Sequence, residues 1–198
     1  MKRRMVHFFA ALVSLLALTF AASAFASPAT DTVKTKQSVL FDLLKQASPG
    51  NQKKLDAVFD EMIDYQSLAQ ASLGTDWAPR SDAEKAQFTD LLKQLVRNAY
   101  QKNLKKIVDF NVNYTGEEPA GDAVVVKTVS TPQNPREDPV EINFKMLSAN
   151  GKAWKVQDIV TEGASMVQGF HRDFAKVITK DGFPALIQKM KDKLAKES

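Results

Sequence analysis

Three groups of residues in this chain have the types that chemistry requires. His171, Arg172 and Asp173 run consecutively near the C-terminus. Successive helical residues point about 100° apart, so the three side chains cannot converge on one substrate atom. They read as a polar outer face opposite Phe170 and Phe174, with Arg172 positioned to pair with a carboxylate such as Glu162. Asp64-Tyr65 and Asp158 form the second group. A buried aspartate and tyrosine in a small α+β cone can run proton transfer, as ketosteroid isomerases do. Asp64 equally suits the N-cap of the helix that follows it. The third group is apolar: Phe88, Tyr100, Phe110, Phe144, Trp154, Phe170 and Phe174 fall on inward faces. A filled core and a lined cavity need the same periodic faces, so both readings stay open from periodicity alone.

Composition narrows the chemistry. The chain has no cysteine and two histidines, His7 and His171. Thiolate nucleophiles and thiolate zinc sites are excluded. No Asp/Glu cluster has calcium-loop spacing, so no metal site is expected.

The N-terminus reads as an export signal. Lys2, Arg3 and Arg4 precede an apolar run, and Ala24-Phe25-Ala26 has the small-x-small pattern of a signal peptidase site, with Ala22-Ser23-Ala24 as a second one. The expected processing removes residues 1–26 and leaves 27–198 as a single domain with a core of its own. The absence of cysteine also excludes a lipid anchor at the cut, so the expectation is an exported chain, soluble outside the cytoplasm. The 27 Lys and Arg fall to 24 against 23 Asp and Glu, a net charge of about +1. A nucleic-acid partner is not expected at that balance.

The elements that must position the apolar groups follow from period. Residues 27–30 read as a flexible terminus. Val39, Leu40, Leu43 and Leu44 mark one helix, and Leu55, Val58, Phe59, Met62 and Ile63 a second. A short helix from Asp64 ends at Gly74. Ser81-Asp82-Ala83-Glu84 is a capping box, and the stripe after it runs from Phe88 through Leu92, Val96 and Tyr100 to Leu104. The period then changes to two: Val108, Phe110, Val112 and Tyr114 alternate with polar residues. Residues 115–121 read as a loop, 122–131 as a strand buried on both faces at Val124-Val125-Val126, and the three prolines of 132–139 as a connection. Ile142, Phe144 and Met146 form a strand; Ala149-Asn150-Gly151 is a hairpin turn, and Trp154 to Val160 the last strand. Gly163 and Ser165 make a strand-to-helix corner before two final helices. The expected fold is α+β, a four-stranded, mostly antiparallel curved sheet with helices on one face.

The order of several landmarks resembles the MlaC family, also known as the toluene-tolerance family. Asp64-Tyr65, Leu73-Gly74, Trp77, Phe88, Tyr100 and Leu104 match its first half. Trp154-Lys155-Val156, Asp158, Glu162-Gly163, Ser165, Phe170, Arg172 and Phe174 match the second, and Gly182 and Leu186 continue into the last helix. Gln70 stands where a basic residue is common in the family, and Gly169-Phe170-His171 replaces a more usual Asn-Tyr pairing. The resemblance implies a non-enzymatic, monomeric periplasmic carrier that takes a phospholipid as cargo and has no cofactor. It implies exchange with an inner-membrane ABC transporter complex bearing an MCE-domain subunit and with an outer-membrane lipoprotein–porin complex, in the service of outer-membrane lipid asymmetry. With the periodicity, it implies an apolar pocket between sheet and helices lined by Phe88, Leu92, Val96, Tyr100, Phe110, Val126, Phe144, Met146, Trp154, Val156, Val167, Phe170 and Phe174, with Gly163 and Ser165 as hinge. An exported enzyme with an α+β cone and a ligand-free interaction module are the alternatives.

Overall fold

A computed structural model of the chain describes residues 27–46, 48, 50–149 and 153–197. The export signal read over 1–26 and the Asn150-Gly151 centre of the hairpin turn lie outside the described residues. Four helices come first: α1 (Pro28–Lys45), α2 (Asn51–Met62), α3 (Tyr65–Leu73) and α4 (Asp82–Ile107). A sheet follows, with β1 (Asn111–Ala120), β2 (Ala123–Thr131), β3 (Val140–Ala149), β4 (Ala153–Thr161) and β5 (Ala164–Ser165). Helices α5 (Met166–Asp181) and α6 (Phe183–Glu197) close the chain. The sheet is an antiparallel meander in the order β1-β2-β3-β4-β5.

The sheet therefore has five strands, not four. The extra one is the two-residue β5, made when the corner after β4 folds back so that Val160 faces Ser165 and Thr161 faces Ala164. The corner itself turns on two left-handed residues, Glu162 (φ 49°) and Gly163 (φ 76°). Glycine adopts that conformation freely; glutamate does so at a cost.

Residues 27–30 are not a loose end. Ser27 is the N-cap of α1, its Oγ accepting the Ala29 N–H at 3.2 Å, and Pro28 occupies the first turn. Ala29 is fully buried, and the Glu117 carboxylate on β1 accepts the Thr30 N–H at 3.0 Å and both hydroxyls of Ser27 and Thr30.

The first strand also starts and ends later than period two suggests. Val108 is still helical in its backbone, as the C-cap of α4, and pairing begins at Asn111. The strand then survives 115–120, which the sequence reads as loop, because a register shift between Tyr114 and Gly116 absorbs one residue. Pro119 is tolerated because β1 is an edge strand. In β2 only Val126 of the valine run is fully buried; Val124 and Val125 keep partial exposure.

Local chemistry explains the helix ends. Ser81 and Glu84 form the reciprocal capping box at α4. Asp64 caps α3 by accepting the Ser67 N–H at 3.0 Å and its hydroxyl at 2.8 Å. The core lies between the sheet face of Val126, Phe144, Met146 and Val156 and the helical stripes of Phe59, Leu68, Phe88 and Leu92, all fully buried.

Candidate functional site

The lower half of α4 and the end of the sheet enclose a cavity of about 220 Å³. From α4 it receives Val96, Ala99, Tyr100, Asn103, Leu104 and Ile107; from β3 and β4 it receives Ile142, Ile159 and Thr161. Ala164, Met166 and Phe170 supply the wall at the β5–α5 corner, and Gln37 supplies the wall on α1. Residues three and four apart on a helix share a face, so the α4 contribution is one stripe. The exposed members, Ala99, Asn103, Thr161 and Ala164, mark the mouth.

No Asp, Glu, Lys, Arg or His lines this cavity. Its one titratable side chain is Tyr100, whose ring packs edge-on against Phe59 at 5.5 Å and whose phenol is pushed up by burial. The lining thus offers non-directional apolar contact with four neutral polar groups, Gln37, Asn103, Thr161 and the Tyr100 phenol. Among the described residues no group of three or more His, Asp and Glu could hold a metal.

The residues expected to line a pocket are divided by the structure. Val96, Tyr100 and Phe170 stand on the cavity. Phe88, Leu92, Val126, Phe144, Met146 and Val156 are fully buried in close-packed core. Phe174 links the two groups, stacked on Phe170 at 5.3 Å and edge-on to Phe88 at 5.5 Å. Val167 packs against the core from α5 with partial exposure. Trp154 borders a surface groove with Pro28, Thr32 and Lys36, and Phe110 a separate hollow beside α1. Leu104, Ile107 and Ile142 continue periodic faces already visible in sequence and were reachable by extending them. Gln37, Asn103 and Thr161 carried no such signal, because a polar residue on a lined cavity looks like a polar residue at the surface.

The corner is held by Asp158. Its carboxylate accepts the Ser165 hydroxyl at 2.5 Å and the Val167 N–H at 3.0 Å, while Ser165 caps α5 by accepting the Gln168 N–H at 3.0 Å. Asp158 is thereby committed to the α5 entry, and Asp64 to the α3 entry. Tyr65 points elsewhere: its phenol, raised by burial, sits beside Arg97, which pairs with Asp60. These three groups do not assemble into a proton-transfer site. Glu162 does not pair with Arg172, contrary to expectation; its carboxylate accepts the Glu141 N–H, and Arg172 is exposed. His171 is exposed as expected, yet it is not idle: its Nδ1 lies 3.3 Å from the Ser72 carbonyl, and its ring covers Gly74.

Comparison with known proteins bears on the same residues. A family model described as MlaC protein matches residues 29–192. The chain is 25% identical over 190 residues to the intermembrane phospholipid transport system binding protein MlaC of Haemophilus influenzae, covering 87% of this chain and 89% of that one. It is similar to the solved structure of a phospholipid-binding protein from Ralstonia solanacearum in complex with a phospholipid. That match has a TM-score of 0.72 and 25% identity, and covers 86% of this chain and 99% of the other.

Proposed function

This chain belongs to the MlaC family, and from that membership we propose that it is a phospholipid-binding carrier rather than an enzyme. The observation that carries the reading is the uncharged, largely apolar cavity between α4, the sheet and the α5 corner. The match to a relative solved with a phospholipid supports it. In the cell the carrier shuttles lipid through the periplasm between an inner-membrane MCE-type ABC transporter complex and an outer-membrane lipoprotein–porin complex, and so maintains lipid asymmetry.

Each methylene exposed to water costs ~0.8 kcal/mol, so two tails with roughly 30 methylenes cost ~24 kcal/mol when dissolved freely. A carrier must cover those tails, and an apolar wall does so without demanding one chain length. The cavity of about 220 Å³ is smaller than the ~300–1,000 Å³ of sites that enclose drug-sized ligands. Loading a two-tailed lipid therefore spreads its walls, and the α4 stripe and the β5–α5 corner are the walls that part.

Native mass spectrometry of the protein purified gently from the periplasm tests the proposal. Adducts at diacyl phospholipid masses, extractable with solvent, are the expected result. A protein that is empty, and stays empty after incubation with phospholipid vesicles, would overturn it.

A further inference from the structure

We propose that the hydrogen bond between Gln37 and Tyr114 is a partition that limits how far a lipid tail runs into this protein. The inference rests on the carrier reading above. Gln37 lies on the inner face of α1 between Val33 and Leu40, both fully buried. It is itself only 2% exposed, at a position where core packing would favour a leucine. A buried amide is costly unless its groups are bonded. The Tyr114 O–H donates to Gln37 Oε1 at 2.7 Å and ties α1 to edge strand β1. A buried amide on an otherwise apolar helix face is an uncommon core element, so its placement calls for another role.

Its position supplies one. Gln37 lines two spaces at once: the central cavity of about 220 Å³ and a second, more open hollow of about 230 Å³. The second hollow is of mixed character: Phe41, Phe110 and Val112 stand beside Ser38, Asn111 and Tyr114, with Lys34 over the Tyr114 ring at 5.9 Å. Phe110, an apolar residue that the central cavity does not reach, is thereby given a surface a tail could touch. The neutral hydrogen bond between α1 and edge strand β1 is made by the one side chain, among the described residues, that borders both spaces. With the pair closed, a tail entering past Ala99 and Ala164 ends at Gln37. With the pair open, the two spaces join and a tail gains the Phe41, Phe110 and Val112 surface.

The test is tail-length selection. Wild type, Gln37→Ala and Tyr114→Phe are each incubated with vesicles holding equal amounts of saturated phosphatidylethanolamines that differ only in tail length. The bound lipids are then read by native mass spectrometry. Both variants are expected to shift the bound population toward longer tails, each newly covered methylene being favoured up to about four-fold. Tyr114→Phe keeps the ring and removes only the tether, so it reports even where Gln37→Ala folds poorly. Loaded wild type with the same tail-length distribution as both variants overturns the partition while leaving the carrier reading intact. A wild type that takes up no lipid overturns the carrier reading itself, and the partition with it.

Discussion

Asp158 and Ser165 are joined by a 2.5 Å hydrogen bond that ties the middle of β4 to the first residue of the α5 entry. With the Val167 N–H as second donor to the same carboxylate, the bond sets the direction in which α5 leaves the sheet and where Met166 and Phe170 meet the cavity. Asp158→Ala should cost about 2–3 kcal/mol, since hydrogen bonds to a charged group are worth more than neutral ones and their donors are left unpaired. Urea unfolding checks the cost. Lipid retained through purification should fall with it, because the corner wall is no longer held.

Core and cavity aromatics should separate in their phenotypes. Phe144→Ala empties a fully buried site and should cost about 3–5 kcal/mol. Phe170→Ala removes a half-buried ring that borders existing space, so it should cost less stability and lose more bound lipid. Equal losses of stability with unchanged lipid content would contradict the division between packed core and lined cavity.

Ala99→Phe should close the mouth. Ala99 is exposed and borders the cavity from α4, so a larger side chain there projects over the opening without overpacking the core. The expected outcome is a stability change within about 1 kcal/mol, as for most surface substitutions, and a clear drop in the lipid-loaded fraction by native mass spectrometry.

All three tyrosines resist ionisation. Burial raises Tyr65 and Tyr100, and pushes Tyr114 up to about 12. A raised phenol favours the neutral form in the folded state. Stability from this source is therefore complete below the ordinary tyrosine value of 10.0 and is lost as pH rises from there toward about 12. Ultraviolet titration should show little phenolate in the folded protein near pH 10, and about half of the full phenolate absorbance at the same pH in urea. Equal absorbance in both would contradict the burial of the three rings.

Gly74→Ala should be destabilising for two separable reasons. Gly74 has φ 56°, and a Cβ there would approach His171 Cε1 to 2.7 Å. The backbone strain is of order 1–3 kcal/mol. Adding His171→Ala should recover the steric part only, so the double variant should lie between Gly74→Ala and wild type in thermal unfolding.

Much of this architecture could be read from residue order. The capping box at Ser81, the Asp64 cap, the stop at Gly74 and the α4 stripe all express short-range rules that the structure repeats. Failures occurred where distant residues decide. Ser27-Pro28 is a helix start, but Glu117 on β1 is what anchors it. Residues 115–120 are weak strand formers that pair because β2 lies beside them. The candidate site was legible as a set of apolar faces and not as a cavity, since Phe144 and Tyr100 show the same spacing signal while one is packed solid and the other faces open space. Neutral polar groups on the lining, Gln37 above all, are invisible until the fold brings α1 against β1.

The strand order has a bearing on how the molecule assembles. Every strand pairs with its neighbours in the chain, so the meander needs only short loops to form, and short loops close at low entropic cost. The α1 wall joins β1 across much longer separations: 77 residues between Gln37 and Tyr114, and 90 between Ser27 and Glu117. The sheet is therefore expected to form early, with the container sealed last. The seam between α1 and β1, closed by contacts far apart in the chain, is the joint whose formation must wait for the rest.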